Sequence, residues 1–134
     1  MKVDLSNLNP GVQFFFNDDK EEEGGMVLRG MTSEILDIID KTCIKTEVKF
    51  KRGQRYEVKN ENKTKRSTMM WDYIIVSWSN ITGMDDVEIP CTTENKLKLV
   101  QGNTTIANFV ADCIEKLAED SENMTEMLEK NSSA

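Results

Sequence analysis

Residues 69–93, MMWDYIIVSWSNITGMDDVEIPCTT, hold both tryptophans, one of the two tyrosines and one of the two prolines of the chain. Met70, Trp71, Ile74, Ile75, Trp78 and Ile81 recur at spacings of three and four. That period predicts an α-helix over 70–81 with one wide apolar face, and Asp72, Val76, Ser79 and Asn80 opposite it. Gly83 breaks the run, and the acidic Met84-Asp85-Asp86 leads back into Val87-Glu88-Ile89-Pro90. Each indole can bury roughly 200 Å², so this stretch is expected to be the centre of the core, with the tryptophans serving packing rather than ligand binding. Trp71, Ile74, Trp78 and Ile81, joined by Phe109 and Cys113 from further along, are the expected core residues.

Upstream, Asn9-Pro10-Gly11 marks a turn. Val12 to Phe16 is a short aromatic and β-branched run that predicts a strand. A Glu-rich loop follows, closed by Gly24-Gly25, and Met26 to Arg29 predicts a second strand, the hairpin partner of the first. Thr32 or Ser33 caps a helix bearing Ile35, Leu36, Ile38, Ile39 and Cys43. From Ile44 the period becomes two. Ile44, Thr46, Val48 and Phe50 alternate with Lys45, Glu47, Lys49 and Lys51, the clearest strand signal in the chain. Arg52-Gly53-Gln54 turns it, and Tyr56 and Val58 on the return strand are expected to point inward. The basic residues then form the exposed face of this second hairpin and of a loop from Asn60 to Arg66.

Downstream, Thr92 or Thr93 caps a short helix, Glu94 to Val100. Asn103 or Thr104 caps an amphipathic helix on which Ile106, Phe109, Val110, Cys113, Ile114 and Leu117 repeat at three and four. Past Leu117 the stripe weakens at Asp120 and Ser121 and resumes at Met124, Met127 and Leu128. The expected class is α+β, with N-terminal β-hairpins packed on a mainly helical C-terminal half. A single domain over 1–118 is expected, followed by a helical extension or disordered acidic tail over 119–134.

At 134 residues the chain is long enough for one real core. Its net charge of −7 is unevenly placed. Lys41 to Arg66 carries ten Lys/Arg against Glu47, Glu57 and Glu61, so that segment is +7 and the remainder −14. Such a dipolar chain suits a charged partner or a second copy of itself. No apolar run approaches a membrane span, and the start lacks a basic stretch followed by an apolar one.

Cys43, Cys91 and Cys113 are widely spaced, and the chain has no histidine. Free thiols in a reducing compartment fit this better than a zinc site. With no histidine the commonest general base is missing. There is no phosphate loop, nucleophile elbow or metal-ligand helix. Asp85-Asp86-Val87-Glu88 lacks the spacing of a calcium loop and reads as a solvated turn. Five N-x-S/T sequons are expected by chance in an Asn/Thr-rich chain. Nucleic-acid binding by the basic hairpin is disfavoured, because Phe50 and Tyr56 are expected to face inward and the rest of the chain is acidic. The residues alone point to an acidic, soluble α+β interaction module without enzyme activity, cofactor or metal.

Two segments carry a resemblance. Gly24-Gly25-Met26-Val27-Leu28-Arg29 ahead of a Thr/Ser-capped helix is one. The other is Trp71-Asp-Tyr-Ile-Ile-Val-Ser-Trp78, an acidic turn, and Ile89-Pro90-Cys91-Thr92-Thr93-Glu94-Asn95-Lys96-Leu97-Lys98-Leu99. Over about residues 24–118 the chain resembles the small tail assembly chaperones of tailed bacteriophages, encoded beside the tape-measure protein. The resemblance implies a non-enzymatic role in the bacterial host cytoplasm: coating the long apolar tape-measure helix and recruiting tail-tube subunits. The N-terminal strand pair and Glu-rich loop depart from the simplest members. They leave open a structural tail subunit of the virion, self-assembling through charge-complementary surfaces. Methionine adapts to irregular surfaces, so Met124, Met127 and Leu128, with Leu117, are the expected partner-binding face.

Overall fold

The computed structural model describes residues 5–6 and 8–132, with side chains as far as 119. A three-stranded antiparallel sheet lies at its centre, formed by β1 (Val12–Phe15), β2 (Gly25–Leu28) and β5 (Ile75–Ser79) in the order β1-β2-β5. Between β2 and β5 the chain makes a long excursion. It runs through α1 (Ser33–Cys43), a separate two-stranded hairpin of β3 (Ile44–Lys51) and β4 (Gln54–Glu61), and α2 (Lys63–Ile74). After β5 come α3 (Thr93–Gly102) and α4 (Thr104–Ser132). The class is α+β, with antiparallel strands mostly N-terminal and helices mostly in the C-terminal half.

The helix expected over 70–81 is the main correction. The helix ends at Ile74 and the chain becomes a strand at Ile75. The reason lies in the register. Gly25, Met26 and Val27 pair with Ser79, Trp78 and Ser77, but Leu28 pairs with Ile75, so Val76 is one residue extra on β5. Such a bulge puts two residues of one strand opposite one of the other. Ile75 and Trp78 therefore both face the core although three residues apart, a spacing that imitates a helix.

Met26 and Leu28 of β2 and Ile75 of β5 are fully buried. Val110 and Cys113 of α4 pack onto them, with Ile74, Trp78 and Ile81. Trp71, Phe109, Phe14, Leu99 and Ile106 are partly buried against the same cluster. Phe109 also meets Phe16, with ring centroids 5.0 Å apart. The Trp78 indole N–H donates to the Ile89 carbonyl at 2.8 Å, which satisfies the one polar atom of the ring and pins the return loop to β5.

Helix starts follow local chemistry. Thr32 accepts from the Ile35 N–H at 3.3 Å, Thr92 from Asn95 at 3.2 Å and Asn103 from Ile106 at 3.1 Å, so each supplies an oxygen to a free first-turn donor. Asn62 does the same for α2, through Lys65 at 3.1 Å. A loop was expected here; Lys63, Lys65 and Arg66 place three cations in the first turn of α2, where the helix dipole disfavours them. Arg66 is offset by Asp40 at 3.0 Å and Glu61 at 3.6 Å. The 60–66 region is thus strand end and helix start rather than loop.

Candidate functional site

Where α2, β2 and α3 converge, a polar cluster joins segments far apart in sequence. The Asp72 carboxylate accepts from the Thr93 hydroxyl at 2.6 Å and from the Lys96 ammonium at 3.1 Å. Lys96 also donates to the Asp72 carbonyl at 3.1 Å. Its side chain is 10% exposed, whereas that of Asp72 is 46% exposed. The Thr93 hydroxyl contributes most to holding the Asp72 carboxyl below its ordinary value; partial burial opposes it, and Lys96 and Arg29 add to the lowering. Next to this pair Arg29 lies 3.8 Å over the Tyr73 ring and donates to the Tyr73 carbonyl at 2.6 Å. Asn9 donates to the Tyr73 hydroxyl and to the Gly30 carbonyl, both at 3.0 Å.

Every residue of the Thr92-Thr93-Glu94-Asn95-Lys96 start has a place in this geometry except the exposed Glu94, which pairs with Lys98 at 3.0 Å. Thr92 caps α3, Thr93 and Lys96 bind Asp72, and Asn95 donates to the Pro90 carbonyl at 2.9 Å. The inward lysine was missed at the sequence level. Lys96 stands three and four residues before Leu99 and Val100, which pack on the core, and that spacing was the signal that could have found it. The cluster is a latch, in which each polar group has its partner.

The second hairpin is the other feature of note, and it corrects the inward placement of Phe50 and Tyr56. Arg52 and Gly53 both have positive φ, 53° and 78°. That is the two-residue turn whose twist matches a hairpin, and Gly53 meets its backbone demand without a side-chain penalty. The register it fixes puts Phe50 opposite Arg55 and Lys49 opposite Tyr56. Directly paired residues share a face. Phe50 and Val48 therefore lie on one face with Arg55, Glu57 and Lys59, while Tyr56 and Val58 lie on the other with Lys49 and Glu47. Neither face is apolar enough to pack along its length: Val58, expected to point inward, and Ile44 are half-buried near the root, and the distal residues are exposed. Phe50 is 71% exposed, Val48 45% and Tyr56 41%. Among the described residues its anchoring contacts lie at the root: the Asn62 N–H to the Cys43 carbonyl at 2.8 Å, Arg66 to Glu61 at 3.6 Å, and packing of β3 on α1.

Of the residues expected to form the core, Ile74, Trp78, Ile81 and Cys113 are buried and Trp71 and Phe109 partly buried. Of those expected to bind a partner, Leu117 is half-buried on α4. Met124, Met127 and Leu128 lie outside the residues whose side chains are described. The backbone of α4 continues helically through them to Ser132, 29 residues or about 43 Å in all.

The three thiols are free, with Cys43 and Cys113 buried. Burial, then the nearby Asp112, pushes the Cys113 thiol up to about 11. Burial also raises Cys91. Both are therefore weak nucleophiles at neutral pH. In the 83–88 turn, Asp85 accepts from the Val87 N–H at 3.2 Å and Glu88 from the Asn80 N–H at 3.3 Å, so these carboxylates serve the local backbone. Among the described residues no group of three acids or thiols is placed to hold a metal ion, and no helix is long and apolar enough to cross a membrane. The chain has no match among family models, curated proteins or solved structures.

Proposed function

We propose that the chain is a non-enzymatic bacteriophage tail assembly protein, a chaperone that binds the tape-measure protein in the host cytoplasm and recruits tail-tube subunits. The observation that carries this reading is the length of α4. The helix packs on the sheet through Val110 and Cys113 and then continues for more than four turns beyond Cys113. On that continuation Met124, Met127 and Leu128 stand at helical spacing, a pattern suited to docking along another apolar helix. The resemblance of the Trp71–Leu99 segment to tail assembly chaperones supports the same reading.

Co-expression tests it. The wild-type chain is expected to hold an otherwise insoluble tape-measure fragment in solution and to co-purify with it. The triple variant Met124→Ser, Met127→Ser, Leu128→Ser is expected to lose capture with its urea midpoint unchanged. Full capture by the triple variant would overturn the reading.

A further inference from the structure

The exposed hairpin presents cations and apolar surface that the described residues of its own chain leave uncovered. From Lys49 to Tyr56 its distal end carries Lys49, Lys51, Arg52 and Arg55 and no acid, with Phe50 and Tyr56 exposed among them. An isolated two-stranded hairpin is marginal in water, and three or more strands or a packed face are normally required. Of the ten cations between Lys41 and Arg66, only Arg66 takes part in an ion pair among the described residues.

The complement to this arm lies on the same molecule, at the other end of the sheet. The excursion that bears the hairpin leaves β2 after Leu28 and returns at Ile75, which pair with each other. The opposite end, where Gly25 pairs with Ser79, carries two acidic loops. One contains Asp18, Asp19, Glu21, Glu22 and Glu23, the other Asp85, Asp86 and Glu88. Asn80 ties them together, its side chain donating to the Glu22 carbonyl at 2.7 Å while its backbone N–H donates to Glu88. With Lys20 counted, the two loops carry −7 against the +7 of residues 41–66.

We propose that the β3–β4 hairpin is a self-association arm, which docks on the acidic loop end of a second copy of this chain. Opposite charges at opposite ends give a head-to-tail contact, and such a contact repeats into a ring or an open filament. Phe50 supplies the apolar anchor and the four distal cations supply register and on-rate. Two hairpins do not pair with each other, because both are cationic. A polyanionic nucleic acid is a poorer occupant, since the remainder of the molecule at −14 repels it.

Light-scattering mass of the full chain is the test, at about 0.1 M and about 1 M salt, between which the Debye length falls from about 10 Å to about 3 Å. At low salt a mass of at least twice the 15.3 kDa protomer is expected, falling toward one protomer at high salt. Lys49→Glu/Lys51→Glu/Arg55→Glu is expected to be a protomer at both. So is Glu21→Lys/Glu22→Lys/Glu23→Lys. Mixed, the two reversed variants are expected to associate with each other. Phe50→Ser, which reverses no charge, is expected to weaken association about tenfold, on the scale of one lost anchor. All substituted positions are exposed, and circular dichroism checks that each variant folds. A wild-type protomer at low salt overturns the proposal. So does association that survives hairpin reversal, or a hairpin that retains a short single-stranded DNA while the protein stays a protomer.

Discussion

Lys96 is a charged side chain in an apolar setting whose counter-ion stands half in water. This asymmetry makes the two halves of the pair unequal. Removing the charge of Asp72 leaves a buried ammonium with only the Asp72 carbonyl and a neutral amide beside it. Removing the ammonium leaves a carboxylate that keeps the Thr93 hydroxyl and reaches solvent. Asp72→Asn is therefore expected to cost about 1–2 kcal/mol, a charged hydrogen bond discounted for the half-exposed acid, and Lys96→Met less. The sign with pH follows from the lowered folded-state value of Asp72. Its contribution is present above the unfolded carboxyl value of 3.8 and is lost as pH falls through the folded one, so the gap between wild type and Asp72→Asn is expected to close in acid. Urea midpoints at neutral and acidic pH check both statements. A larger loss for Lys96→Met than for Asp72→Asn would refute the latch as described.

At the scale of elements, the outcome turned on period and register. Helices with sharp caps and clean stripes, α1, α3 and the first part of α4, were legible because Thr32, Thr92 and Asn103 announce them. The alternation of β3 and β4 was legible too. What alternation alone does not fix is which alternating set faces its neighbour's set. The two-residue turn at Arg52-Gly53 decided that and put Phe50 and Tyr56 on different faces. In 70–81 the β-branched run Ile74-Ile75-Val76 favoured a strand. The bulge at Val76 nevertheless restored a spacing of three between Ile75 and Trp78 and disguised the strand. The pairing of Lys96 with Asp72 stayed hidden because the two lie 24 residues apart and only the fold joins them. The same contrast sets a prediction. Phe50→Ser and Tyr56→Ser remove large side chains that pack on little, and each is expected to shift protomer stability by no more than about 0.5 kcal/mol. Trp78→Ala empties the core and breaks the bond to Ile89, at about 3–5 kcal/mol. Denaturant unfolding at high salt compares them, and a loss at Phe50 approaching that at Trp78 would mean the hairpin packs on the body after all.

Across the whole molecule, charge is sorted along the fold rather than spread over it. The segment from Lys41 to Arg66 collects ten of the seventeen cations, and the loop end of the β1-β2-β5 sheet gathers eight of the acids. An arm held only at its root opens locally at a cost well below that of global unfolding. Its backbone amides are then expected to exchange fastest of any strand in the protomer, while those of β2 and β5, which carry the buried Met26, Leu28 and Ile75, exchange near the global limit. Docking on a second copy adds contacts that only the closed hairpin can make, and it stabilises that form by mass action. Hydrogen exchange is therefore expected to depend on protein concentration and salt at residues 45–60 and to be indifferent to both at β2 and β5. Raising concentration at low salt should slow the hairpin amides, and raising salt should restore their rate. Charge reversal at Lys49, Lys51 and Arg55 should leave them fast under every condition. Uniform slowing across both sheets would place the contact elsewhere, and fast hairpin exchange in an assembled species would show that the arm is not what joins the copies.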